Sequence, residues 1–225
     1  KNGKINFAIT GNVIFKIIRK DSKIEEGECY KNYIIKDEDQ IDIISTKNSA
    51  YGYLSVWGGF ELTKIWNSYS INTKANIGPN KGNKFSLKDK IYIKNYHIQK
   101  ISEKKINYNQ TFDYIIRIIK GTNYDYFSSE AKDKFLNKKF LVTNLADRMG
   151  IRLKGPKLEN IMSTNIKSEG LVRGVIQVPA DGNPIIMLSD HGTIGGYPKI
   201  AVVISADLDI VGQLIPGTYL QFKEV

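Results

Sequence analysis

The chain has 225 residues, of which 41% are hydrophobic and 25% charged, and its formal net charge is +10. No apolar run approaches the roughly 18 residues that a membrane helix needs, so the sequence argues against a membrane partner. Only five of the 33 basic residues are arginines and the lysines are scattered singly, which argues against nucleic acid as a partner, since base and phosphate recognition favours clustered arginines.

Alternating polar and apolar residues predict β-strands along the first 94 residues. The predicted strands are residues 7–10, 13–18, 40–45, 51–57 and 90–94. Between the last two strands, residues 68–84 are rich in Asn, Gly and Lys, a composition that predicts a long loop. We therefore expect an N-terminal β domain at residues 1–94.

The N-terminal part also contains Cys29, the only cysteine of the chain. A single cysteine excludes an internal disulfide, and this fits a reducing compartment. Residues 1–4 lead directly into an alternating segment instead of the apolar stretch of a signal peptide. We therefore expect a cytoplasmic protein.

A stretch rich in Lys, Asn and Gln at residues 95–111 is the predicted linker to a second β domain at residues 112–225. One helix is predicted there, at residues 128–140, with Ser128 or Ser129 as its N-cap. The predicted strands are residues 112–119, 139–143, 150–153, 174–178, 184–188, 200–205 and 219–222. Short strands separated by Gly-rich turns favour barrels, so we predict a mainly β fold of two barrel-like units.

Five motifs follow one another in the last 80 residues. They are DRMGIRL at 147–153, SEG at 168–170, GVIQVP at 174–179, DHGTIGGYP at 190–198 and QLIPG at 213–217. In this order they resemble the KipA family, also called the 5-oxoprolinase PxpC family, allophanate hydrolase subunit 2 or biotin-dependent carboxyltransferase-like proteins. FAITG at 7–11 and YLSVWGG at 53–59 resemble the same family more weakly.

The resemblance implies a cyclophilin-like β-barrel, at least in the C-terminal half, and further residues ahead of Phe7, so we expect the N-terminal domain to be truncated. It also implies the C component of a multi-subunit, ATP-dependent 5-oxoprolinase, which opens 5-oxo-L-proline to L-glutamate. The implied partners are a KipI-like B subunit and a LamB/YcsF-type A subunit. The chain has no P-loop or dinucleotide motif, so we expect a partner protein to use the ATP and this chain to bind no cofactor.

Residues 190–197 are the strongest site candidate. Asp190 and His191 can exchange protons with a small amide substrate at neutral pH, and Thr193 with nearby backbone N–H groups can hold an oxyanion. Arg148 can bind a carboxylate through two hydrogen bonds. The predicted catalytic residues are Asp190, His191 and Thr193, and the predicted substrate-binding residues are Arg148, Gln177, Gly195, Gly196 and Tyr197. The alternative is a tight hairpin in which the glycines supply positive φ angles.

Other functions remain open at this point. A metal site is not predicted, because His97 and His191 lack ligand spacing with cysteine or carboxylates. The resemblance also admits a biotin-dependent carboxyltransferase component acting on urea or allophanate, with biotin on a partner. A third reading is a non-catalytic KipI-binding regulator of a histidine kinase. Gly192 and Ile194 keep that reading open, because they stand where the family has Gln and Thr.

Overall fold

The computed structural model describes residues 3–94, 102–108 and 114–225. The chain divides into two compact units. The N-terminal unit comprises Lys1–Lys47 and Gly52–Tyr108, and the C-terminal unit comprises Asn48–Tyr51 and Asn109–Val225. None of the helices in the described ranges is long and apolar enough to cross a membrane.

The predicted linker is described only between residues 102 and 108. There the N–H of Ile106 donates to the Tyr30 carbonyl at 2.9 Å, and Lys105 forms a β-bridge with Lys31. The ring of Tyr108 lies 4.8 Å from that of Tyr30. This segment therefore pairs with the N-terminal unit, whereas the other predicted linker residues and His97 lie outside the described ranges, and the domain boundary stays a prediction.

The N-terminal unit consists of short antiparallel sheets. Its strands are β1 (Ile5–Thr10), β2 (Val13–Ile18), β3 (Ile24–Glu26), β4 (Asn32–Ile35), β5 (Gln40–Thr46), β6 (Tyr53–Val56), β7 (Phe60–Glu61) and β8 (Tyr92–Ile93). They pair in the orders β4-β1-β6, β3-β2-β5 and β7-β8. Alternation directs Phe7, Phe15 and Tyr33 inward, where Phe7 and Tyr33 stack with ring centroids 5.6 Å apart.

A closed barrel forms the C-terminal unit. Its elements are β9 (Ile115–Lys120), α1 (Ser129–Asn137), β10 (Phe140–Val142), β11 (Gly150–Lys154), β12 (Glu169–Gly170), β13 (Val175–Gln177), β14 (Ile185–Met187), β15 (Ile194–Gly195), β16 (Lys199–Val203), α2 (Leu208–Gly212) and β17 (Tyr219–Glu224). The barrel order is β10-β11-β14-β13-β16-β9-β17, and β12 pairs with β15 as a separate ribbon. The predicted mainly β fold with a C-terminal barrel is confirmed.

Helix α1 begins where the sequence predicts. The Ala131 N–H donates to the Ser128 hydroxyl at 3.1 Å, so Ser128 is the N-cap. The helix ends at Asn137 and not at residue 140, because Phe140 is buried as the first residue of β10. Phe135 of α1 stacks on Phe222 of β17 at 4.5 Å between centroids, which attaches the helix to the barrel.

An ion pair joins β9 to the 3-10 turn Ser205–Asp207, directly before α2. Arg117 Nη2 lies 2.6 Å from Asp207 Oδ1, and the Arg117 backbone N–H donates to Asp207 Oδ2 at 2.8 Å. The Asp207 side chain is buried, whereas the Arg117 side chain is half exposed. The hydrogen bonds from Arg117 hold the pKa of Asp207 below its usual value, against the burial that would raise it.

We expect Asp207→Asn to lower the free energy of unfolding at pH 7 by about 1–3 kcal/mol. The reason is that a buried neutral amide is a weaker hydrogen-bond acceptor for the Arg117 N–H groups than the carboxylate is. A carboxyl whose pKa is lowered on folding stabilises the protein above its unfolded pKa of about 3.9 and loses that contribution as pH falls through the lower folded value. The difference from wild type should therefore shrink in this acid range. Urea unfolding at pH 7 and at acid pH measures it.

The control is Asp209→Asn, because the Asp209 side chain is almost fully exposed and lies 3.5 Å from Arg173. A surface pair of this kind contributes little, so we expect a change below about 0.5 kcal/mol. Equal losses for both variants, or a loss in Asp207→Asn that does not depend on pH, would contradict the role of the buried carboxylate.

Candidate active site

Four neighbouring barrel strands place side chains in one cross-strand row. Arg152 of β11 and Gln177 of β13 both lie opposite Ile185 of β14. Gln177 also lies opposite Lys199 of β16. Directly opposed residues of antiparallel strands project from the same face of a sheet, so these four residues share one face, which we call the outer row.

The outer row lies on the outside of the barrel. Ile151, Ile186 and Ile176 are the adjacent residues on β11, β14 and β13, and they are also register partners. All three are buried in the hydrophobic core of the barrel, as is Ala201 of β16, the partner of Ile176. Because neighbouring residues of a strand point to opposite faces, the outer row faces away from that core.

A β-bulge in β16 sets the position of Lys199. Ile176 pairs with Ala201 and the next residue, Gln177, pairs with Lys199, so Ile200 is the extra residue. Ile200 and Ala201 are both fully buried. The extra residue reverses the alternation and turns Lys199 to the face of Gln177, and bulges of this kind are frequent beside active sites.

The β12–β15 ribbon covers this part of the outer row. The Lys199 ammonium, with 5% of its side chain exposed, pairs with the Glu169 carboxylate of β12. Gln177 Nε2 donates to the carbonyl of Tyr197, just beyond β15, at 3.1 Å. These two contacts attach the ribbon to the barrel and bury the polar side chains of Gln177 and Lys199.

Gly195 allows a close approach of the ribbon to the Gln177 and Leu171 side chains. A Cβ atom at this position would lie 2.7 Å from Gln177 Nε2 and 2.9 Å from Leu171 Cδ1. The φ angles of Gly192, Gly195 and Gly196 are all outside the left-handed region. These glycines therefore do not supply the positive φ angles of the alternative hairpin reading, and Gly195 serves the packing of the ribbon instead.

A cavity of about 500 Å³ opens on the outer row, and this volume is within the range of small-ligand sites. Its polar lining consists of Thr143, Arg152, Lys154, Gln177, Asp181, Asn183, His191 and Tyr197. Leu145, Met149, Ile185 and Met187 supply apolar surface. The cavity therefore combines an apolar wall with several hydrogen-bonding groups, as a site for a small polar molecule requires.

Among the described residues, this lining has two basic side chains, Arg152 and Lys154, and one carboxylate, Asp181. Asn183 donates from its side chain to Asp181 at 2.9 Å and from its backbone N–H at 3.1 Å. These hydrogen bonds lower the pKa of Asp181, and the one from the Asn183 side chain has the largest effect. Partial desolvation acts in the opposite direction and raises this pKa. The lining therefore carries a net positive charge at neutral pH.

Three of the predicted site residues meet in the cavity: Gln177, His191 and Tyr197. His191 Nδ1 lies 2.5 Å from the Gly192 carbonyl oxygen. A carbonyl accepts only, so this contact assigns the proton of the neutral imidazole to Nδ1 and leaves Nε2 as an acceptor. His191 can therefore take a proton at Nε2.

Arg148 and Asp190 bind each other. Arg148 Nε lies 2.9 Å from Asp190 Oδ2, and Nη2 donates to Oδ1 at 3.3 Å. The Asp190 N–H also donates to the Arg148 carbonyl at 3.1 Å. Neither residue lines the cavity, so the carboxylate that Arg148 holds in this structure is that of Asp190.

Thr193, Gly195 and Gly196 belong to the ribbon and not to the cavity lining. The Thr193 carbonyl accepts from Leu171 N–H at 3.0 Å, and the Gly196 carbonyl accepts from Ile166 N–H at 2.9 Å. Their backbone groups therefore hold the two sides of the ribbon together.

Sequence reasoning missed the contributions of Arg152, Lys154, Glu169 and Lys199. Arg152 carried a signal, because it is one of few arginines and lies in a motif. Lys199 carried no such signal. The bulge in β16 places it beneath the β12–β15 ribbon, and nothing in a lysine-rich sequence distinguishes it from the other lysines. Within the described residues, no three His, Cys, Asp or Glu side chains are grouped as metal ligands.

Residues 2–224 match the family described as "Carboxyltransferase domain, subdomain A and B", and the chain belongs to this family. Its relatives include the C subunit of 5-oxoprolinase from Haemophilus influenzae, 32% identical over 98% of the chain and 70% of the relative. The corresponding protein of Escherichia coli is 31% identical over 76% of the chain and 55% of the relative. The resemblance noted in the motifs is thereby confirmed.

Solved structures with the same fold include the Kluyveromyces lactis urea carboxylase, with a TM-score of 0.84 and 23% identity, over 100% of this chain and 22% of that one. The K. lactis urea amidolyase also has a TM-score of 0.84, over 99% of this chain and 14% of that one. At this identity the likeness shows the fold of the chain.

We expect Lys199→Met to loosen the ribbon while the barrel keeps its stability. A methionine keeps most of the apolar stem of lysine, and the Glu169 carboxylate that loses its partner is about half exposed, so water solvates it. We therefore expect the free energy of unfolding to change by about 1 kcal/mol or less. The ribbon, however, loses the ion pair between its Glu169 and Lys199 of the barrel. Hydrogen exchange should therefore become more than about tenfold faster at the Leu171 amide, which closes the ribbon.

Glu169→Gln is the matched control, because an amide oxygen still accepts a hydrogen bond from the Lys199 ammonium. Its effect on exchange should be smaller than that of Lys199→Met. Unchanged exchange at Leu171 in Lys199→Met would show that the ion pair does not hold the ribbon.

Proposed function

We propose that the chain is the C subunit of an ATP-dependent 5-oxoprolinase, which opens 5-oxo-L-proline to L-glutamate. The observation that carries this proposal is the 32% identity to the C subunit of a 5-oxoprolinase along 98% of the chain. The cavity on the outer row supports it, because its size and its mixed lining suit a small cyclic amide that bears a carboxylate.

Ring opening adds water across the lactam bond. The oxygen of water bonds to the carbonyl carbon, the C–N bond breaks, and the nitrogen receives a proton. The carbonyl oxygen gains negative charge during the addition, so hydrogen-bond donors such as the Gln177 amide stabilise it. His191 takes the proton of water at Nε2 and returns it to the leaving nitrogen. In this proposal Arg148 holds Asp190, the residue that precedes His191, and so helps to position the imidazole.

The division of labour is part of the proposal. The sequence contains no nucleotide-binding motif, so a partner protein uses the ATP. The enzyme is completed by a KipI-like B subunit and a LamB/YcsF-type A subunit. The single cysteine, Cys29, suits a complex in the cytoplasm, where thiols stay reduced.

Reconstitution tests the proposal. The three subunits together should form glutamate from 5-oxo-L-proline and hydrolyse ATP in step with it, whereas the purified chain alone should do neither. Turnover by the isolated chain would contradict the division of labour. Absence of glutamate with all three subunits present would overturn the proposed activity.

We expect His191→Asn to lower kcat of the reconstituted enzyme by about 100-fold or more, because the amide cannot transfer protons and general acid–base catalysis contributes about 10²–10⁴-fold. The melting temperature should not change, since His191 lies at the cavity surface. The measurement is kcat beside a thermal melt. Full activity, or a loss that follows unfolding only, would make residues 190–197 structural and favour the regulator function.

A biotin-dependent carboxyltransferase is the second candidate, and the family match favours it. Such an enzyme transfers a carboxyl group from biotin on a partner to a small amide such as urea. The assay is carboxylation of urea by this chain together with a biotin carboxylase and a biotinyl carrier. Urea carboxylation without oxoprolinase activity would select this function.

A further inference from the structure

Arg152 differs from every other arginine of the chain. Arg148 and Arg117 bind Asp190 and Asp207. The same holds for Arg19 with Glu25 and Asp39, and for Arg173 with Asp209. Among the residues that the structure describes, the Arg152 guanidinium has no such carboxylate and no hydrogen-bond acceptor. Within the described ranges, its planar fork of donors is thus left for a ligand.

The place of Arg152 makes that fork available to a ligand. Arg152 lines the cavity and lies two strands away from Gln177, with Ile185 opposite both residues. Two strand spacings separate their backbones by about 10 Å. A small molecule between them meets the buried Gln177 amide at one end and the exposed Arg152 guanidinium at the other.

The surroundings of Arg152 favour an anion. Lys154 is two residues further along β11, projects from the same face and lines the same cavity. Asp181, the carboxylate among the described lining residues, is hydrogen-bonded to Asn183. Arg152 and Lys154 together therefore outweigh the charge of Asp181, and the cavity attracts an anionic ligand.

We infer that Arg152 binds the carboxylate of the substrate and thereby selects a carboxylated lactam over a neutral amide. This inference rests on the proposed function, which supplies 5-oxo-L-proline as the substrate. A guanidinium matches a carboxylate with two parallel hydrogen bonds, which a lysine ammonium cannot reproduce. Gln177, two strands away in the outer row, then forms hydrogen bonds to the ring amide.

Arg152→Ala in the reconstituted enzyme tests the inference. Hydrogen bonds to charged groups contribute about 1.5–3 kcal/mol, so KM for 5-oxo-L-proline should rise by about 10–150-fold. Arg152→Lys should recover only part of this loss. Inhibition by 2-pyrrolidinone, the same ring without the carboxylate, should not weaken in either variant, whereas a distorted cavity would weaken both ligands together.

Arg173→Ala is the matched control, because Arg173 is a partly exposed arginine of the same unit outside the cavity lining. The KM of this variant for 5-oxo-L-proline should stay within about threefold of wild type. The melting temperatures of all variants should stay close to that of wild type. A KM in Arg152→Ala within threefold of wild type, or an equal loss of 2-pyrrolidinone inhibition, would overturn the inference. If 2-pyrrolidinone does not inhibit the wild type, the KM comparison decides.

A second measurement separates this inference from the proposed function. The purified chain would be titrated with 5-oxo-L-proline while the NMR signals of the five arginine Nε–H groups are followed. A saturable shift of the Arg152 signal, absent with 2-pyrrolidinone, supports the carboxylate site even if the reconstituted proteins form no glutamate. No saturable shift together with an unchanged KM in Arg152→Ala overturns the site, whatever the activity.

Discussion

The covered polar site depends on one irregularity in one strand. The extra residue Ile200 lets Ile200 and Ala201 both enter the core, and it turns Lys199 to the outer face beside Gln177. Two polar side chains would face water there, but the β12–β15 ribbon covers them through Glu169 and the Tyr197 carbonyl. The cavity then forms further along the same row, so core packing and site geometry share one cause.

The fold was largely predictable because local patterns determine it. Period-2 alternation located the long strands, and the Ser128 cap located α1. Strands β3, β4, β7, β12 and β15 were not predicted. All of these have two to four residues, too few for an alternation to stand out, and they form through pairing with other segments. Sheet order likewise depends on contacts between distant segments.

The site was predictable in part. Motif residues Gln177, His191 and Tyr197 meet in the cavity, because the strand and the segment that carry them are joined by the Gln177 hydrogen bond. The sequence favoured Arg148 as the carboxylate holder, yet it pairs with Asp190. Which arginine of DRMGIRL has a partner depends on tertiary contacts, and a residue count along the motif cannot reveal it.

The way in which the barrel closes bears on how the chain folds. Strand β17 runs parallel to β9, with Ile115 opposite Gln221, and also pairs with β10. The strand that opens the C-terminal unit therefore pairs with the one that ends it, and such non-local pairing is slow. During synthesis β9 keeps an unpaired edge until residue 224 has left the ribosome, so the barrel closes only after all of its strands have been made.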